Sequence, residues 1–170
     1  EEDISIMAPD QRGHGQSQIP HSPGARHPVH YTPLDYGRDL VETLHHHHFY
    51  PCFVAGHSMG VRSACALVHL KPQYIKGLIL IDLGFQGVAG GGLGENLAHF
   101  LKILPMQFQS RDEARQFMNN NCPDPAIAQY LMAVSVTRGQ ELTFPFDKGA
   151  LIETIHAARD VSVRGWVLEA

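Results

Sequence analysis

Gly56-His57-Ser58-Met59-Gly60 sits directly behind the apolar run Pro51-Cys52-Phe53-Val54-Ala55 and directly ahead of Val61-Arg62-Ser63-Ala64-Cys65. The apolar run is short enough for a strand, and Val61, Cys65 and Val68 then recur at helical spacing. Strand, sharp turn and helix therefore follow one another with no loop, and a serine stands at the tip between two glycines. A strand that turns at once into a helix crowds its own backbone. Both glycines are expected to relieve that crowding by having no Cβ. The first N–H groups of the helix lack intrahelical partners and carry its partial positive charge. An oxyanion formed beside Ser58 would be held there.

The neighbouring segments repeat the alternation of strand and helix. Gly77-Leu78-Ile79-Leu80-Ile81 reads as a second strand and ends in Asp82-Leu83-Gly84. Upstream, Ile4-Ser5-Ile6-Met7-Ala8 reads as another, running into Asp10-Gln11-Arg12-Gly13-His14-Gly15-Gln16-Ser17. Thr32-Pro33-Leu34-Asp35 has the form of a capping box with proline at the first helical position, and opens a helix with Leu40, Val41 and Leu44 on its inner side. Alternating strands and helices imply βαβ units and a parallel sheet, the α/β class.

These segments resemble the α/β-hydrolase superfamily. Gly56–Gly60 has the form of its G-x-S-x-G nucleophile elbow. Asp10–Ser17 is similar to the family's D-x-R-G-H-G-x-S segment after the fourth strand, and Leu78–Asp82 to its sixth strand. Among members, the chain is most similar to small serine esterases with a G-H-S-M-G elbow and a helical lid. The resemblance implies a partial α/β-hydrolase fold: a mostly parallel sheet flanked by helices, with a helical cap insertion. Residues 1–84 would form the core part, strands four to six of the family sheet, and residues 85–170 the cap. Gly84, Gly87, Gly90, Gly91, Gly92 and Gly94 crowd the boundary and suit a hinge. In the cap, four stretches are expected to be helical, around Leu97–Leu104, Ser110–Phe117, Ala126–Val134 and Lys148–Arg159, with a fifth from Val161 to the end.

The resemblance assigns Ser58 as the nucleophile and the backbone N–H of Met59 as an oxyanion donor. The family orders its triad as serine, acid, histidine. On that order the acid and histidine are expected beyond Ala170, so the chain reads as an internal fragment. Asp82, at the C-terminal end of a strand where ligands gather in open α/β sheets, is an alternative acid. A structural role is the other reading of Asp82. His57 immediately precedes the nucleophile and is not its base. His14 lies in the turn near the mouth of the site, and both histidines are candidates for residues close to substrate. Arg12 is expected to brace the same turn. The resemblance implies no metal or organic cofactor. His45-His46-His47-His48 does not suggest a metal site, because consecutive helical residues point about 100° apart.

Composition bounds the partners. The 170 residues are 44% hydrophobic and 18% charged, which suits one folded core. A net charge of -4 with scattered Lys and Arg offers no surface for nucleic acid. No apolar run approaches the roughly 20 residues of a membrane span. Glu1, Glu2 and Asp3 are the wrong start for a signal peptide. Three widely spaced cysteines, Cys52, Cys65 and Cys122, argue against a disulfide framework and suit a reducing, cytoplasmic type of compartment. The expected partner is a small apolar ester or acyl substrate. An acyltransferase or thioesterase using the same elbow, and a non-catalytic ligand-binding module, remain open on the sequence.

Overall fold

The computed structural model describes residues 4–17, 29–82, 85, 92–159 and 161–168. The glycine-dense boundary from Leu83 to Gly91 lies almost wholly outside them, so the expected hinge is not described.

Two parallel strands carry the elbow. β1 (Cys52–His57) pairs with β2 (Ile75–Ile81), bringing His57 opposite Ile81. Parallel strands need a crossover, and α2 (Met59–Leu70) supplies it. Every residue of α2 from Val61 to Val68 is buried, because three elements surround it. The sheet lies on one side and α1 (Pro33–His46) on another. α7 (Arg164–Leu168) closes the third, where Val163 is buried against Val61 and Cys65 and Trp166 stacks on His69. The last segment of the chain thus returns to α2 rather than joining the cap helices.

Local chemistry sets the helix starts. At α1 the Thr32 side chain accepts from the Asp35 N–H while Asp35 accepts from the Thr32 N–H, the capping box expected from sequence. Desolvation works to raise the Asp35 carboxyl, but hydrogen bonds from Thr32 and the charges of Arg12 and Arg38 outweigh it and hold the group below its ordinary range.

Two expectations need correction. Ile4–Ala8 is not a ladder strand: among the described residues it makes no backbone hydrogen bond, and Ile4 and Ile6 are about as exposed as side chains can be. A strand needs a neighbour at about 4.8 Å, and no described segment stands there. The segment expected to form the cap is also not purely helical. Besides α3 (Gly92–Ile103), α4 (Arg111–Asn121), α5 (Pro125–Val134) and α6 (Lys148–Ala158), it holds a small antiparallel sheet. Its strands β3 (Gln107–Phe108), β4 (Val136–Arg138) and β5 (Glu141–Thr143) lie in the order β3-β5-β4. The hairpin turns at Gly139, whose φ of 65° is open to glycine. Phe100, Leu104, Phe108, Met118, Leu131, Leu142 and Phe144 form the core between these elements.

α1 meets the C-terminal segment on α6. The Thr154 hydroxyl donates to the Ala150 carbonyl at 2.8 Å, so the Tyr36 hydroxyl, 2.6 Å away, donates to Thr154. Burial pushes the Tyr36 phenol up to about 12. Its raised pKa means that the folded state favours the neutral phenol. That part of the stability is complete below the ordinary tyrosine range near pH 10 and is lost as pH rises through about 12. Tyr36→Phe is expected to cost about 1 kcal/mol at neutral pH and to flatten this alkaline decline, as read by urea unfolding over a pH series.

Candidate active site

Ser58 stands where β1 gives way to α2, with φ 50° and ψ -118°. A left-handed conformation at a non-glycine residue costs about 1–3 kcal/mol and persists only when its surroundings enforce it. Here the Ser58 N–H donates to the Ile81 carbonyl at 3.0 Å, which ties the turn to the end of β2. The Val61 N–H donates back to the Ser58 carbonyl at 3.0 Å and starts the helix. Gly56 sets the remaining constraint. A Cβ there would lie 2.4 Å from the Gly60 carbonyl oxygen and 2.7 Å from the Val61 Cα. The strand end and the first turn of α2 are in direct backbone contact, and only glycine permits it. Gly60 differs from the expectation, because a Cβ there would meet nothing closer than the Gln11 Nε2 at 3.8 Å. The crowding of the turn falls on one glycine, not two.

The result is a serine presented outward. Ser58 is exposed, and its Oγ has no hydrogen-bond partner among the described residues. The Met59 N–H likewise has no acceptor among them. It sits at the start of α2, where the helix dipole is positive.

His57 and Asp82 meet across the strand ends. The His57 Nε2 lies 3.8 Å from an Asp82 carboxylate oxygen, and both side chains are well exposed. Asp82, like Ser58, holds a left-handed backbone, with φ 68°. The imidazole of His57 is thus turned along the sheet toward Asp82. Exposed pairs of this kind contribute little to stability.

His14 lies in a turn that is fastened to the cap. Its Nδ1 donates to the Arg12 carbonyl at 3.2 Å, and its backbone forms an isolated bridge with Phe146. The Gly15 N–H donates to the Pro145 carbonyl and the Asp147 N–H to the Gly13 carbonyl, each at 2.7 Å. Gly13 has φ 80°, and a Cβ there would lie 2.7 Å from the Ala150 Cβ. Arg12 does brace the turn. Its Nε and Nη2 each donate to Asp39 at 2.6 Å, and its Nη1 donates to the His30 carbonyl. The hydrogen bonds that Arg12 donates to Asp39 outweigh partial burial and raise the guanidinium pKa further.

Sequence reasoning passed over Gln11. Its Oε1 accepts from the Ser63 hydroxyl at 2.6 Å, pinning the Asp10–Ser17 turn to α2 one turn beyond the elbow. Ser63 is buried, and a buried hydroxyl needs a partner, which was the available signal. Cys52, Cys65 and Cys122 are free thiols, each raised above its ordinary pKa chiefly by burial. Among the described residues, no three His, Cys, Asp or Glu are grouped to hold a metal ion, and no helix is long and apolar enough to cross a membrane.

Residues 1–120 match the hydrolase family described as serine aminopeptidase, S33. The chain belongs to this family, within the α/β-hydrolase superfamily. It is similar to the sn-1-specific diacylglycerol lipase ABHD11 of Mus musculus, 26% identical over 153 residues, which cover 87% of this chain and 47% of the lipase. Two solved structures share the fold. A marine microorganism esterase superposes with a TM-score of 0.71 at 18% identity, over 89% of this chain and 57% of the esterase. E-2-(acetamidomethylene)succinate hydrolase does so with 0.67 at 21% identity, over 89% and 55%. The chain spans about half the length of the curated relatives it matches.

The two elbow glycines separate in experiment. Gly56→Ala is expected to lose about 1–3 kcal/mol or more through backbone overlap. Gly60→Ala, inside the helix and unobstructed, is expected to be neutral or to gain up to about 1 kcal/mol. Urea unfolding of the two variants checks the contrast.

Proposed function

We propose that the chain carries the nucleophile-bearing part of a serine hydrolase that cleaves an ester or related acyl bond. One observation carries the reading: an exposed, conformationally constrained Ser58 whose Oγ is unengaged among the described residues, beside a Met59 N–H without an acceptor among them. The Ser58 Oγ attacks the ester carbonyl as a base takes its proton. Collapse of the tetrahedral intermediate breaks the ester C–O bond, the alcohol leaving with that proton and the acyl group staying on Ser58. The Met59 N–H faces the oxyanion that develops, where a preorganised donor is worth more than in water. Hydrolysis of the acyl-serine then releases the acid.

A serine hydroxyl is a weak nucleophile without a base to take its proton. His57 is directed toward Asp82, and no described histidine or carboxylate hydrogen-bonds Ser58. The base and its acid are therefore assigned to parts of a longer protein, in keeping with the half-length match to relatives. Asp82 serves in this reading as the partner of His57 rather than as the triad acid. His14, held where the turn meets the cap, lies toward the substrate entrance. An ester is favoured over an amide by the lipase and esterase among the similar proteins.

The 170-residue chain and its Ser58→Ala variant are to be compared with a fluorophosphonate probe, read by intact mass, and with p-nitrophenyl butyrate. The expected result is a folded chain without turnover, whose slow probe adduct is lost in the variant. Hydrolysis that survives Ser58→Ala would remove Ser58 from the mechanism. Rapid hydrolysis abolished by Ser58→Ala would place a base within these residues and overturn the division of the triad.

A further inference from the structure

Two of the buried residues of α2 are polar, Arg62 and Ser63. As neighbours on a helix they leave it about 100° apart. Ser63 turns to the Asp10–Ser17 segment, where its hydroxyl donates to Gln11. Arg62 turns to the segment that begins at Val161. Its side chain lies in the first turn of α2 and is 2% exposed, and its Nη1 donates to the Val161 carbonyl at 2.6 Å, across 99 positions of sequence. Burial disfavours the charged guanidinium and lowers its pKa. An apolar side chain would fill such a position with less desolvation cost. What arginine adds is a planar set of N–H donors that can hold backbone carbonyls from inside the core.

The segment that Arg62 holds runs along α2 from its first turn to its last. Val161 meets Arg62, Val163 is buried against Val61 and Cys65, and Trp166 stacks on His69 with ring centroids 5.5 Å apart. α7 is five residues long. A helix that short has no stability of its own, so its place depends on these contacts. The same first turn closes the elbow. The Val61 N–H donates to the Ser58 carbonyl, and the Val61 Cα lies against Gly56. The left-handed backbone of Ser58 persists only while its surroundings enforce it. Val163 packs on Val61, so a segment that leaves α2 frees the residue on which the turn closes.

We infer that Arg62 is a positioning residue for Ser58: its buried guanidinium hooks residues 161–168 onto the first turn of α2, and the hooked segment holds the elbow in its left-handed form. Its effect on reactivity rests on the reading of Ser58 as nucleophile, whereas its effect on the backbone does not.

Arg62→Met keeps an apolar stem and removes the donors. Three measurements on the 170-residue chain, made where circular dichroism shows it folded, test the hook. Trp166 is the sole tryptophan of the sequence, and its emission is expected to shift to the red in Arg62→Met as the ring leaves His69. The Ser58 amide, held by the Ile81 carbonyl, is expected to exchange its hydrogen at least about tenfold faster. Fluorophosphonate adduct formation at Ser58 is expected to slow at least about tenfold, since small displacements of a reacting group are costly. Arg62→Lys keeps the charge with fewer donors in a different geometry. It is expected to fall between the two, and carries the same measurements should Arg62→Met not fold. Leu142→Ala, in the buried core of the small sheet, lowers overall stability away from α2. It is expected to leave the emission, the Ser58 exchange and the adduct rate at wild-type values. Wild-type emission or wild-type Ser58 exchange in a folded Arg62→Met would overturn the inference. An unchanged adduct rate despite faster exchange would confine Arg62 to the fold and overturn its positioning role. A wild type that forms no adduct, or an adduct that survives Ser58→Ala, would instead remove the nucleophile reading, and emission and exchange would still decide the hook.

Discussion

The contact between the end of β1 and the first turn of α2 sets the geometry of everything around it. With Gly56 against the Gly60 carbonyl and the Val61 Cα, the chain has no room to leave the strand gradually. Ser58 absorbs the reversal in a left-handed conformation, and the Ile81 carbonyl fixes it there. The price is local strain, and the return is a side chain lifted clear of its own backbone beside a helix N-terminus. Because α2 is enclosed by the sheet, α1 and α7, the first turn cannot relax away from the strand. The enclosure of one helix thus stabilises the unusual backbone of one serine.

A second constraint joins the cap to this frame. The turn Gly13–Gly15 and the segment Pro145–Asp147 exchange backbone hydrogen bonds, and Ala150 lies where a side chain on Gly13 would have to go. Tyr36 to Thr154 adds a buried link between α1 and α6. On the other side of the turn, Arg12 grips Asp39 on α1, and Gln11 takes the Ser63 hydroxyl of α2. The loop that carries His14 is therefore a junction between core helices and cap. Cap position, His14 and the elbow are coupled through a few short polar contacts rather than through a large apolar interface.

The two-stranded sheet is packed on its helical face. Phe53, Ile79 and Ile81 are exposed on strands whose helical face is well packed, and among the described residues only β2 pairs with β1. The polar junction at Arg12 and Gln11 holds the Asp10–Ser17 turn to the helices although, among the described residues, no strand pairs with Ile4–Ala8 just ahead of it.

The elbow was legible because its signal is local: an apolar run, two glycines around a serine, and helical spacing begin within fifteen residues. The capping box at Thr32 and Asp35 was legible for the same reason, since both partners lie within one turn. Local sequence could not show which glycine bears the crowding, because Gly56 and Gly60 look alike until the helix is laid on the strand. Nor could it show that Ile4–Ala8 would be left unpaired, since an alternating apolar segment is a strand only if another backbone stands beside it. The cap hairpin at Gly139 was hidden among longer helical patterns, its strands being only three residues each. By itself the sequence determined the elbow, the helices and the α/β-hydrolase family, because short-range sterics and periodicity write these into neighbouring residues. Tertiary structure alone decided the link between His57 and Asp82, the seat of His14 against the cap and the return of α7 to α2. Those contacts join residues from 25 to more than 100 positions apart, and packing rather than local preference brings them together.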